Sequence, residues 1–177
     1  MTTDTRSHAS AAAPASPRGA LARRWDVLSP WPGGRWLFSK ALGRMAPYTG
    51  SIDARVEDVI PGYARARIHD RPRLRQHLGS VHAAALFNLS EMVSALALMY
   101  ALPADARAIP FRLEIDYLKK SRGVLTAEGR APILTTPEEG RHQVEVEVRD
   151  RSGEVTARVV AHWLVRPTAP RVGRVSS

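Results

Sequence analysis

Residues 81–102 read VHAAALFNLSEMVSALALMYAL, and nearly every side chain in the run is apolar. A helix that is apolar almost all round either spans a membrane or is buried inside a protein. The stretch is long enough to cross a bilayer, for which about 20 residues suffice. His82, Asn88 and Glu91 nevertheless interrupt its first half, and a carboxylate near mid-membrane costs about 2.5–3.5 kcal/mol on insertion scales. The segments on either side are amphipathic strands that need a common core. The spacing therefore predicts a helix that fills a sheet, with no membrane span and with Ser80 as its N-cap.

Upstream, Ile52, Ala54, Val56 and Asp58 alternate with Asp53, Arg55 and Glu57; after the Pro61-Gly62 turn, Ala64, Ala66 and Ile68 alternate with Arg65 and Arg67. Period-two alternation marks strands with one buried and one wet face. Downstream, Phe111, Leu113, Ile115 and Tyr117 alternate with Arg112, Glu114 and Asp116. Residues 124–133 form a weaker candidate, and 143–149 and 154–166 flank a turn at 150–153. A short amphipathic helix is expected over 34–46, ended by Pro47. Strands grouped on either side of one long helix give an α+β domain with an antiparallel sheet of about five to six strands.

With 177 residues, the chain suits one domain with a sizeable core. Residues 1–24 are rich in Ala, Pro, Ser and Arg and are expected to form a disordered basic tail. The domain should run over 25–167, with a flexible tail over 168–177. The first segment is similar to a transit peptide in its arginines but lacks the apolar stretch of a secretory signal. There is no cysteine, which excludes disulfides, thiolate metal sites and a cysteine nucleophile and fits a cytoplasmic location. The net charge of +9 suits a polyanion: nucleic acid, anionic lipid or the phosphates of coenzyme A. It equally suits a generic arginine-rich surface.

Glu91 is the anomaly within the helix. A buried carboxylate without a partner is costly and shifts its pKa upward. Two readings stand side by side: a glutamate at an oligomer seam paired with an arginine, or a general base or nucleophile in a pocket. Asn88, three residues earlier, and Ala95, four later, share its helix face. At the helix start, Gly79, Ser80, Val81, His82 and Ala83 bring backbone N–H groups to a positive dipole end. A carbonyl placed there would be polarised and its tetrahedral oxyanion held. His77 and His82 have no third ligand at metal spacing, so no metal is expected.

These residues resemble the hotdog-fold thioesterase superfamily, especially the group similar to phenylacetyl-CoA and medium-chain acyl-CoA thioesterases. The resemblance runs from about Trp31 to Arg166, and is closest to a bacterial branch with a Glu acid and a His-Ala opening. Its pattern is a polar residue, then Gly, then His and small residues opening a long helix, with an acid nine positions after the His. Here it reads Gln76-His-Leu-Gly79-Ser-Val-His82-Ala83-Ala84, with Glu91 in the acid position. The strand Ile115-Asp116-Tyr117-Leu118-Lys119-Lys120 also looks like the family's post-helix strand. The resemblance implies that Glu91 activates water or attacks the thioester, that Gln76 orients water or substrate, and that His82 and Ala83 supply the N–H groups that hold the carbonyl oxygen. It implies that Lys119, Lys120 and Arg122 meet coenzyme A phosphates. The sequence departs from the pattern with Gln76 for Asn, Ala83 and Ala84 for glycines, and Pro110 for a strand hydroxyl.

The leading expectation is a hotdog-fold acyl-CoA or acyl-carrier-protein thioesterase, with catalytic Glu91, Gln76, His82 and Ala83 and substrate contacts at Gly79, Asn88, Lys119, Lys120 and Arg122. It needs no cofactor beyond its thioester substrate, and is expected as a homodimer or dimer of dimers with sites at the seam. The acyl chain is expected along the helix, with Met92 and Leu96 either touching it or packing the core. A non-catalytic acyl-CoA binding or regulatory protein is the alternative. Nucleic-acid binding through the loop carrying Arg71, Arg73 and Arg75 is the distant third, since no recognition motif accompanies it.

Overall fold

The apolar stretch folds as helix α4, Ala83–Met99, in a computed structural model that describes residues 19–134 and 136–168. Leu89, Val93, Leu96 and Leu98 on this helix are almost wholly buried. The helix is shorter than the apolar run, for a reason outside it. The Val81 N–H donates to the Ser121 carbonyl (2.9 Å) and the His82 N–H to the Leu74 carbonyl (2.7 Å), which holds both residues extended, Val81 bridging to Arg75. The N-cap is therefore His82, whose Nδ1 accepts from the Ala84 N–H at 3.0 Å. Ser80, the expected cap, is buried and accepts from the Gln76 side chain instead. At the far end Tyr100 closes the helix, and its hydroxyl donates to Asp26 at 2.5 Å. No described helix is long and apolar enough to cross a membrane.

Six antiparallel strands form one sheet around α4: β1 (Arg55–Ile60), β2 (Tyr63–His69), β3 (Ala106–Tyr117), β4 (Val124–Arg130), β5 (Gly140–Arg149) and β6 (Val155–Pro167), in the order β1-β2-β4-β5-β6-β3. This is the hotdog architecture. The face against α4 alternates small and large side chains, with Ala64, Ala66, Ala127, Ala157 and Ala161 among Ile68, Leu125, Val144, Val146, Val148, Val159 and Trp163, all buried. The small residues let the helix axis come close. At Gly129 the approach is tightest: a Cβ there would lie 2.9 Å from Val93 Cγ1 and 3.3 Å from the Val93 carbonyl oxygen.

Two strands depart from strict alternation. A bulge in β1 between Val56 and Asp58 shifts the phase, so that Val59 is buried where Asp58 was expected to be. A bulge in β3 between Pro110 and Arg112 leaves Leu113, Ile115 and Tyr117 on the inner side and turns Phe111 outward against His162, with ring centroids 5.9 Å apart. Sequence periodicity cannot see an inserted residue of this kind.

Before the sheet, α1 (Ala20–Leu28) and α2 (Gly34–Met45) form a hairpin joined edge-to-face by Trp25 and Phe38, and α3 (Pro47–Gly50) follows. Order thus begins before the Trp25 boundary expected from composition. Ala22 is fully buried and Leu21 packs on the core, so two modest apolar residues suffice to order the turn before Trp25. The rest of the anticipated basic tail, residues 1–18, lies outside the described residues, as does the C-terminal tail beyond 168.

Because the helix sits directly on Gly129, Gly129→Val should destabilise the fold by about 1–3 kcal/mol, the range for overpacking a filled site. Urea denaturation should show the midpoint lowered with an unchanged slope.

Candidate active site

The start of α4 is held by a compact hydrogen-bonded loop. The Gln76 side chain donates to Ser80 Oγ at 2.9 Å, the Gln76 N–H to the Ser80 carbonyl, and the Gly79 N–H to the Gln76 carbonyl. Arg122 Nε donates to the Gly79 carbonyl at 3.1 Å. Of the two backbone donors expected to face a substrate, the His82 N–H is already used by Leu74, which corrects that assignment. The Ala84 N–H is taken by the His82 ring. Of these three N–H groups only that of Ala83 donates to no group among the described residues, and Ala83 is exposed. His82 accepts through Nδ1, so in this state its ring carries the proton on Nε2; the ring caps its own helix. Tyr117, which sequence reasoning passed over as one more alternating strand residue, brings its hydroxyl to the Ala83 carbonyl at 3.2 Å. Its place at the end of a strand facing a helix start is the only sequence signal that could have flagged it.

One row of α4 is left uncovered by the sheet: Ala84, Phe87, Glu91, Ala95 and Met99 are each at least partly exposed, at the i, i+3/i+4 spacing of a single helix face. Glu91 is half-buried on this row, and its carboxylate has no hydrogen bond or ion pair among the described residues. Burial, with no cation to oppose it, raises its carboxyl above the ordinary 4.5. Among the described residues of this chain no arginine pairs with it. Asn88 does not join it: buried, it donates to the Tyr48 carbonyl at 2.9 Å and ties α3 to α4. The contact makes Asn88 a tether between the two helices. Met92 and Leu96 are also buried and pack the core.

Glu91 and Ala83 are eight residues apart, about 12 Å along the helix axis, and one carbonyl cannot touch both in the same chain. The expectation that one short stretch supplies base and oxyanion donor together is corrected by this rise. Lys119 is committed elsewhere, to Asp150 at 2.9 Å and to Glu154, so its charge is already balanced. Lys120 is exposed without an ion pair among the described residues, and Arg122 stands beside Gly79. The arginines of the 71–75 loop are paired as well, Arg71 and Arg73 with Asp53 and Arg75 with Asp70. Lys40 and Arg71 hold the Asp53 carboxyl down at about 2, so this loop offers little free charge to a nucleic acid. Among the described residues no three His, Asp or Glu side chains gather as a metal site would require. Where the open row ends at Met99, an apolar cavity of about 340 Å³ opens between α1, α2 and the end of α4, walled by Leu21, Leu28, Phe38, Leu42 and Leu102.

Residues 34–165 match the family model described as "Domain of unknown function (DUF4442)". The chain belongs to the DUF4442 family. No curated protein matches the chain significantly. Among solved structures, the DUF4442 domain is similar to the genomics target APC5556, 25% identical with a TM-score of 0.72 over 83% of this chain and 98% of that one. It is similar to a protein of unknown function from Pseudomonas aeruginosa described as "Probable Thioesterase" (21% identical, TM-score 0.65, 71% of this chain and 90% of that one). A thioesterase from Haemophilus influenzae is 13% identical with a TM-score of 0.64, covering 74% of this chain and 92% of that one. At such identities the last two likenesses establish the fold alone, and the resemblance to hotdog thioesterases holds at that level.

The raised Glu91 carboxyl has a measurable consequence. The folded chain holds this proton more tightly than the unfolded chain, so the stability it contributes is complete below pH 4.5 and is lost as pH rises through the folded value. Glu91→Gln should therefore be more stable than the parent at pH 7 and no different below pH 4.5. Identical melting temperatures at both pH values would show that the carboxylate is well solvated.

Proposed function

We propose that the domain hydrolyses an acyl thioester, carried by coenzyme A or an acyl-carrier protein, with Glu91 as general base or nucleophile. The observation that carries this reading is a half-buried carboxylate with no partner among the described residues, on the row of the central helix that the sheet leaves uncovered, in a fold shared with thioesterases. A carboxylate whose pKa is raised toward neutrality is a better base for water than an ordinary one. In the general-base form, Glu91 takes a proton from water as the water oxygen attacks the thioester carbon. The oxyanion is held by the Ala83 N–H, and its collapse breaks the C–S bond as the proton passes to the leaving thiolate.

The 12 Å between Ala83 and Glu91 calls for two chains, and β3 supplies the seam. It is the longer of the two edge strands of the sheet, runs over Ala106–Tyr117, and exposes Ile109, Phe111 and Tyr117. A long apolar edge of this kind is a template for pairing. In a homodimer joined through β3, Ala83 of one chain would face Glu91 of the other. Gln76 would act by holding Ser80 and the loop in place, and His82 by capping the helix. Lys120 and Arg122, on the loop beside Gly79, would meet the coenzyme A phosphates. The acyl chain would lie along Ala95 and Met99 and end in the apolar cavity beyond.

A second reading, acyl-CoA binding without turnover, is favoured by one specific observation: engagement of the His82 N–H takes one of the two backbone donors expected for the oxyanion. Hydrolysis of a panel of acyl-CoA thioesters decides between the two. Glu91→Gln should lower kcat by about 10²–10⁴-fold. Ala83→Pro should lower it by about 10²–10³-fold with the fold intact, because proline suits the first helical position and His82 already has the extended backbone (φ −65°, ψ 141°) that a following proline requires. Equal, negligible turnover in parent and variants, with acyl-CoA still bound, would leave only the binding reading. If the site spans two chains, mixing the two variants should restore about a quarter of parental activity, because half of a random mixture pairs unlike chains and each such pair holds one intact site.

A further inference from the structure

The α1–α2 hairpin exposes apolar surface that neither the sheet nor the proposed site uses. At its tip Trp31 is 70% exposed, Val27 66%, Trp36 50% and Leu37 46%, and the four line one shallow hollow around Pro32 and Gly33. The other two tryptophans, Trp25 and Trp163, are 4% and 2% exposed, so leaving indole in water is particular to this tip. The tip is also stiff. Gly34 lies so close to Leu28 that a Cβ would stand 1.7 Å from the Leu28 carbonyl oxygen, which fixes the two helices and the aromatic side chains between them.

Charge decides what such a surface fits. Residues 20–45 carry Arg23, Arg24, Arg35, Lys40 and Arg44 against a single acid, Asp26, whose carboxylate accepts from Tyr100. Arg24, Arg35 and Arg44 are exposed and have no carboxylate partner among the described residues; Lys40 pairs with Asp53 and stands 6.0 Å from the Trp36 ring. Paired indoles flanked by cations are the composition of a surface that seats in lipid headgroups, where the rings take the interfacial level and arginines meet anionic lipid. Docking against a second copy would bring the same cations face to face. We propose that the hairpin tip docks on an anionic lipid surface, with Trp31 and Trp36 inserted among the headgroups. Leu28 lines both the tip hollow and the apolar cavity at the end of α4, so one side chain separates the two. The inference stands on the hairpin alone and is independent of thioester hydrolysis.

Flotation of the full chain with phosphatidylcholine vesicles, with and without phosphatidylglycerol, tests this. Binding is expected on the phosphatidylglycerol vesicles, with a blue shift in tryptophan emission that reports Trp31 and Trp36, since Trp25 and Trp163 are already out of water. Trp31→Ser/Trp36→Ser should weaken binding by roughly tenfold or more. Arg24→Gln/Arg44→Gln should weaken it on anionic vesicles and reduce its salt dependence. No binding to phosphatidylglycerol vesicles, or binding untouched by the tryptophan pair, overturns the proposal. So does a smaller oligomer of the tryptophan variant without lipid, which would make the tip a protein interface.

Discussion

The structure depends on burying a helix that has almost no polar side. Each Leu or Val of α4 taken fully out of water contributes about 1.5–3 kcal/mol, and Leu89, Val93, Leu96 and Leu98 are all taken there. The sheet receives them by alternating alanine with valine along its inner face and by giving up a side chain altogether at Gly129. Small residues on the sheet and large ones on the helix are one packing solution.

A sheet that wraps a helix leaves one row of that helix facing out, and the chain places Glu91 on that row. The same sheet ends at β3, an edge strand whose outer face is open and whose inner face is only partly covered in a single chain. Both features lie where the fold is unfinished: a carboxylate with no partner among the described residues and a strand with one edge unpaired. A second chain laid along β3 would complete the sheet and bring another helix start toward Glu91. The fold thereby gives a physical reason to read catalysis and dimer formation together.

Around this centre the charged residues divide into those that are spent and those that are free. Lys119 and the arginines of the 71–75 loop neutralise nearby acids, and they shape the hairpins that carry them. Lys120 beside the helix start, and Arg24 and Arg44 on the hairpin, have no such partners among the described residues. A net charge of +9 says nothing of this division, which only contacts reveal.

What the sequence determined by itself was periodicity. An apolar run too long for a strand, interrupted by a carboxylate and flanked by period-two segments, was enough for an α+β domain with a buried helix, and its opening pattern was enough for the hotdog resemblance. Glu91 was legible for the same reason, since a charge in an apolar helix stands out without coordinates. Tertiary structure decided everything set by a distant partner. Leu74 and Ser121 hold Val81 and His82 extended, so the cap moved from Ser80 to His82 and one of two expected oxyanion donors was lost. Tyr48 claimed Asn88, Asp150 claimed Lys119, and bulges turned Phe111 and Asp58 away from their expected faces. Each of these is a hydrogen bond or packing contact between residues far apart in the chain, and local spacing holds no record of them.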